Sequence, residues 1–185
     1  MNKSEFLRLN KSVSVAGVKE GEKVLDLGCG NNMLRCFLVS TDYTGVDMVG
    51  GGIVYNLEYG LPNSIKNIKF DIIFMNEFIE HIENFKSLLN ECKEVLTENG
   101  RIIISTPSNN RLLSGDFLDV HSEDMGHIHC FRKTNMRNLA KVCGLVITAI
   151  VGTYVRVPPF IPKYLVIPTN QTLYTEVIIY RLEKK

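Results

Sequence analysis

Apolar runs of strand length recur along the chain, separated by glycine-bearing turns and by segments with a helical apolar period. Lys23 to Leu27 is short and mostly apolar, the pattern of a strand buried on both faces. After Gly28-Cys29-Gly30, residues Asn31 to Ser40 place Met33, Leu34, Phe37 and Leu38 on one side of a predicted helix. Asp42 to Asp47 reads as a second strand, Ile53 to Leu57 as a third and Phe70 to Met75 as a fourth. Asn84 to Thr97 is amphipathic, with Phe85, Leu88, Leu89, Cys92, Val95 and Leu96 at helical spacing, Asn84 as N-cap and Gly100 past the end. Arg101 to Thr106, rich in isoleucine, reads as a central parallel strand. Thr134 is placed to cap a helix that carries Met136, Leu139, Ala140 and Cys143 inward and stops at Gly144. Leu145 to Tyr154 and Thr172 to Arg181 supply a sixth and a last strand. Residues 1 to 16, with Phe6, Leu7 and Leu9 as anchors, form either a helix that caps the domain or a loosely ordered tail. Strands alternating with helices define an α/β fold.

The first strand carries the chemistry. Strand, tight glycine turn and helix start together bring backbone N–H groups close to a ligand. The alternative is a plain β–α connection that binds nothing. Asp26 argues for the ligand, because a carboxylate inside a buried strand end needs a polar partner. Asp47 closes the second strand about twenty residues after the glycines, where this kind of fold places a ribose-hydroxyl acceptor. Met48 and the flexible Gly50-Gly51-Gly52 follow it.

Val24-Leu25-Asp26-Leu27-Gly28-Cys29-Gly30 closely resembles the first motif of the class I S-adenosylmethionine-dependent methyltransferases, in particular their type 11 group. Tyr43 to Asp47 resembles the second motif. Phe70 to Ile82, with Glu80-His81, resembles the fourth-strand motif, and Leu96 to Pro107 the helix-turn-strand after it. Gly126-His127 with Phe131, and Cys143-Gly144-Leu145, resemble the C-terminal part; the likeness spans roughly residues 20 to 150. It implies a Rossmann-like doubly wound, mostly parallel seven-stranded sheet whose antiparallel last strand inserts between the fifth and sixth. It implies S-adenosylmethionine as cofactor, held by Asp26, Gly28, Cys29, Gly30, Asp47, Met48, Asn56, Leu57 and Asn76. In relatives an acidic residue near Asn56 holds the adenine amino group; the Asn56 carbonyl oxygen accepts the same bond, and Glu58 is an alternative. Asn32 stands where many relatives carry glycine, and asparagine tolerates the same left-handed backbone. A shorter N-terminal region than in many relatives implies a more open site.

The stretch from Pro107 to Lys133 is long, polar and irregular, and leaves the fifth strand on the ligand side, as a substrate lid does. It holds His121, His127 and His129. His127 matches a histidine of the resembling family and is the candidate catalytic residue, an imidazole suited to taking a proton near neutral pH. His129 and His81 read as hydrogen-bonded structural histidines. His127 and His129 fall on one face of an extended segment, but no second pair completes a tetrahedral set, so no metal is expected. Residues 155 to 172 form a Pro-rich connection, with Phe160, Tyr164, Leu165 and Val166 able to cover the substrate mouth or another subunit.

Composition narrows the setting. The 185 residues suit a single domain, with residues 1–20 as N-terminal cap or tail, and a net charge of +1 argues against general nucleic-acid binding. An odd five cysteines without a metal-like pair imply free thiols, no apolar run approaches a membrane span, and the N-terminus lacks a signal core. These features place the protein in the cytoplasm. The reaction implied by the resemblance is in-line methyl transfer to a small-molecule acceptor. The alternatives are a non-catalytic protein that binds the same cofactor and a nicotinamide-dependent oxidoreductase. The latter's fingerprint wants a glycine where Met33 stands.

Overall fold

A computed structural model describes residues 1–108, 126–156, 166–171 and 175–185. The chain opens with helix α1 (Lys3–Ala16) and continues through β1 (Lys23–Leu27), β2 (Asp42–Asp47), β3 (Ile53–Val54) and β4 (Phe70–Asn76). Helix α2 (Phe85–Val95) leads into β5 (Leu96–Pro107). Helix α3 (Lys133–Val142), β6 (Leu145–Gly152), β7 (Tyr154–Arg156), β8 (Val166–Pro168) and β9 (Val177–Lys184) complete it. The main sheet has seven strands in the order β3-β2-β1-β4-β5-β9-β6. The pairs from β3 to β5 are parallel, and β9 runs antiparallel to both β5 and β6. This is the doubly wound sheet the sequence implies, last strand inserted between fifth and sixth.

Both faces of the sheet are covered at its centre, which is why its central strands are mostly apolar. Successive side chains point to opposite faces. Val24, Ile72, Phe74, Ile103 and Ile179 pack under Leu9 and Ala16 of α1. Leu25, Leu27, Ile73, Met75, Ile102 and Ile104 pack instead with Leu88, Leu89 and Cys92 of α2 and Met136, Leu139 and Ala140 of α3. The N-terminal segment is thus a packed helix, not a tail. Asn2 caps it by accepting from the Glu5 amide at 2.8 Å, and Gly17 ends it at φ +61°.

Several boundaries differ from the sequence reading. The predicted helix from Asn31 to Ser40 is a 3-10 turn over Met33–Phe37, because Asn32 takes φ +57° and breaks the helical path before it starts. The third strand stops at Val54, where Asn56 caps a second 3-10 turn, Leu57–Tyr59. Thr134 lies inside the first turn of α3, whose cap is Arg132. The sixth strand divides into β6 and β7, the latter pairing with β8 in a small separate sheet. The last strand begins at Val177; the expected start at Thr172 to Tyr174 lies outside the described residues. Outside them also lie most of the polar stretch, including His121, and Phe160, Tyr164 and Leu165 of the Pro-rich connection.

A buried charge ties the helix to the sheet. Arg101, 5% exposed in β5, donates to the carbonyls of Ala16 and Gly17 and forms a two-pronged pair with Glu22, both contacts at 2.8 Å. Guanidinium and carboxylate meet bidentately, and the remaining donors are taken by the end of α1. Among the described residues no helix is long and apolar enough to cross a membrane.

Candidate active site

Strand order reverses between β1 and β4, and in open α/β sheets the crevice beyond the strand C-termini at such a point is the ligand site. The residues there are the Gly28-Cys29-Gly30 turn after β1, Asp47 at the end of β2, and Asn76 and Glu77 at the end of β4. Gly28 has φ +74°, and a Cβ there would stand 2.4 Å from the Phe78 ring, so no larger residue fits. Gly30 has no atom within 4 Å of where its Cβ would point; that space is open. Cys29 is buried between them.

Asp47 fastens the turn to the second strand. Its Oδ2 accepts from the Gly30 amide at 2.8 Å and its Oδ1 from the Val49 amide at 2.9 Å. Each oxygen keeps a second lone pair for a ligand hydroxyl. Met48, next to it, is exposed. Asp26 is buried at 3% exposure, and the Tyr43 hydroxyl lies 2.7 Å from its Oδ2. Burial pushes the Asp26 carboxyl up to about 7, against the lowering effect of Tyr43. The same hydroxyl lies 3.2 Å from Asn32 Oδ1, while Asn32 Nδ2 donates to the Gly51 carbonyl. Asn32 therefore straps the triple-glycine segment to the turn, a role glycine at that position does not have.

α1 reaches into this edge. Ser12 donates to Asn76 Oδ1 at 2.8 Å, and Arg8 stands 3.9 Å from Glu77. The site is closed on this side, contrary to the more open one expected. Among the described residues Asn76 Nδ2 is buried with no hydrogen-bond partner, an orphan donor at the end of β4. Glu77 has φ +51°, with its amide bonded to the Ser105 carbonyl at 2.9 Å.

Two expected cofactor-contact residues have local roles as well. The Asn56 side-chain oxygen accepts from the Glu58 amide at 3.0 Å as the cap of its own turn and keeps a second lone pair, and Leu57 is 3% exposed in the core. Glu58, the alternative, accepts instead from the Glu83 amide at 3.0 Å.

Behind the end of β4, Glu80 is 1% exposed. Burial, reinforced by the neighbouring Glu77, pushes its carboxyl up to about 8. The Glu80 carbonyl accepts from the amides of Ile128 and His129 at 3.0 and 3.1 Å, pinning the segment after Gly126 against the turn Ile79–His81. His81 and His127 face each other with ring centroids 4.7 Å apart. His129 turns the other way, onto Phe85 and Phe131 at 4.8 and 6.0 Å, so the expected common face of His127 and His129 does not form. A separate groove of about 600 Å³, lined by Lys11, Asn170, Arg181 and Glu183 among others, shares no residue with the glycine crevice.

Sequence reasoning missed the Arg8–Glu77 and Ser12–Asn76 contacts and the burial of Glu80. The flanking Ile79 and Ile82 are the local signal for the last; nothing local signals the other two.

This sheet order and crevice define the class I S-adenosylmethionine-dependent methyltransferase fold. The "Methyltransferase domain" family model matches residues 2–150, and the chain belongs to that family. Among curated proteins, the ubiquinone biosynthesis O-methyltransferase of Glaesserella parasuis is 32% identical over 108 residues, 46% of this chain and 45% of that protein. Its namesake in Shewanella pealeana is 30% identical over 121 residues, 56% and 51% of the two chains. The chain thus spans about half the length of the curated relatives it matches. A Thermotoga maritima methyltransferase structure, described as a possible histamine N-methyltransferase, superposes with a TM-score of 0.73 at 16% identity, covering 99% of this chain and 90% of that one. A putative methyltransferase from Bacillus halodurans gives 0.68 at 15% identity, covering 95% and 98%. At these identities the two structures speak for the fold. The cofactor of the family is S-adenosylmethionine.

Proposed function

We propose that this chain binds S-adenosylmethionine through Asp26, Gly28, Cys29, Gly30, Asp47, Met48, Asn56, Leu57 and Asn76 and catalyses methyl transfer to a small-molecule acceptor. The observation that carries the reading is the orphan Asn76 donor, which shares a strand edge with the open space at Gly30 and the Asp47 carboxylate. These residues fit the cofactor: the open space at the glycine turn and the remaining lone pairs of the Asp47 carboxylate suit the ribose end, and the Asn76 amide donor suits the methionine end. The name shared by the curated relatives favours a hydroxyl oxygen as the accepting atom.

When bound, S-adenosylmethionine supplies an electrophilic methyl group on sulfur. The chain's own part is positioning and exclusion of water. Well-oriented reactants gain about 7–11 kcal/mol of barrier in favourable cases. His127, held beside His81 at the mouth of the crevice, is the group we assign to the acceptor, taking its proton as the new bond forms. The segment 107–133 serves as acceptor lid; its described ends leave β5 at Pro107 and return past His127 into α3. Residues 1–185 act as one domain, with 155–172 as a connection. An odd number of cysteines, five, supports a cytoplasmic setting.

Calorimetry with S-adenosylmethionine, S-adenosylhomocysteine and NAD tests the cofactor, and transfer of labelled methyl to a panel of phenols, catechols and amines tests the acceptor. Saturable binding of the first two and labelling of a hydroxyl compound is the expected result. Binding of NAD alone overturns the assignment. Binding of the first two without transfer to any acceptor reduces the protein to a cofactor carrier.

A further inference from the structure

We propose that Glu80, His81 and His127 form a site for a divalent first-row cation at the acceptor side of the crevice. One donor atom from each lies within 4.8 Å of the other two. Two imidazole nitrogens and one carboxylate oxygen suit zinc, manganese, cobalt or iron in the divalent state. Around an ion at about 2.1 Å such atoms stand roughly 3–3.5 Å apart, so closure needs side-chain rotations of about 1 Å.

Three features point to a ligand here. Among the described residues neither Glu80 carboxylate oxygen has a hydrogen-bond partner, although the residue is 1% exposed. The Thr106 hydroxyl is the nearby polar group but reaches neither oxygen at hydrogen-bond geometry. An unpartnered carboxyl this deeply buried is an unfavourable arrangement that a bound cation would relieve. Second, His81 Nδ1 lies 3.2 Å from the Gly126 carbonyl, which only accepts, so Nδ1 carries the proton and the Nε2 lone pair is the one an ion takes. Third, the two amide bonds onto the Glu80 carbonyl fix the segment bearing His127 against Glu80. The donors are held in place by backbone before any ion arrives.

The ion's part in the reaction rests on the methyl-transfer reading. Its open positions would hold an acceptor oxygen, His127 would then serve as ligand in place of proton acceptor, and the acceptor hydroxyl, acidified by the ion, would lose its proton to water.

The test uses the full chain stripped with a chelator and then titrated with Mn²⁺, Zn²⁺ or Co²⁺ in the absence of cofactor and acceptor. Expected are saturable one-site binding and visible Co²⁺ absorption bands. Glu80→Gln and His127→Gln each weaken binding at least tenfold, while S-adenosylhomocysteine affinity stays within twofold. His129→Gln leaves ion binding unchanged. Glu80→Gln keeps the shape of the buried side chain; should it fail to fold, His127→Gln at its half-buried position carries the test. No saturable ion binding by stripped protein, or unchanged affinity in the variants, overturns the site and leaves the methyl-transfer reading standing. Ion binding without any response to S-adenosylhomocysteine overturns that reading instead. Methyl transfer at full rate by stripped protein removes the ion from the reaction and returns the proton to His127.

Discussion

The Tyr43 hydroxyl stands 2.7 Å from Asp26 Oδ2 and 3.2 Å from Asn32 Oδ1, bridging the end of β1 to the turn that follows it. A hydroxyl has one proton. With Asp26 ionised it goes to the carboxylate; with Asp26 protonated the acid donates to Tyr43, and Tyr43 is free to donate to Asn32.

This linkage gives a pH dependence with a definite sign. The groups acting on Asp26 are Tyr43 and Asp47 from β2 and Arg8 from α1, but burial dominates and raises its carboxyl from 3.8 to about 7. The folded state holds the proton more tightly, so the Asp26 contribution is fully present below its unfolded value. It is lost as pH rises through about 7. At about 1.4 kcal/mol per unit, a few kcal/mol are at stake. Asp26→Asn mimics the protonated acid. Urea denaturation between pH 4 and 8 should show a shallower decline for the variant than for the wild type, with the residual slope owed to Glu80.

Gly28→Ala places a methyl group at φ +74° and 2.4 Å from the Phe78 ring. Backbone strain there costs about 1–3 kcal/mol. Calorimetry should show S-adenosylhomocysteine binding weakened at least tenfold, with a lowered melting temperature. Unchanged affinity would separate the turn from the cofactor.

Glu22→Ala strips Arg101 of its carboxylate while leaving the guanidinium buried. Losing one partner of such a pair costs about 3 kcal/mol or more, and Arg101→Met in the Glu22→Ala background should recover part of it. Hydrogen bonds from Arg101 hold Glu22 below the usual carboxylate range. Its stabilising effect is therefore present above that range and lost as the solution is acidified through the folded value. Chemical denaturation at pH 7 and pH 3 checks both statements.

Asn32→Gly keeps the left-handed backbone but removes the strap to Gly51. One hydrogen bond is worth about 1 kcal/mol, so a stability change of that size or less is expected. Hydrogen exchange at Gly51 and Gly52 should quicken more than at Leu25 or Ile73.

Much of the fold could be read along the chain because its central strands are apolar on both faces and bounded by glycines. The glycine turn, Asp26 and Asp47 stood out for the same reason: each breaks the apolar pattern at a strand end. The failures have local causes. Asn32 was expected to preserve the loop and did, but its left-handed backbone also removed the helix expected after it. Asn56 precedes Glu58 by two, the spacing of a side-chain cap, and that local bond uses one lone pair of the oxygen assigned to adenine. What no local pattern reveals is pairing at a distance. Arg101 meets Glu22 across 79 positions, and His81 meets the Gly126 segment across 45. Only the closed sheet brings those groups together.

The insertion of β9 between β5 and β6 also dictates when the molecule can become whole. Seven residues of β9 register with each neighbour. Until that strand has been synthesised, two ladders of backbone donors and acceptors stand bare in the middle of the sheet, inviting the wrong partner. The nascent protein therefore depends on a strand made after both of its neighbours to silence its stickiest surfaces, and a ribosome that stalls before Val177 releases an aggregation hazard.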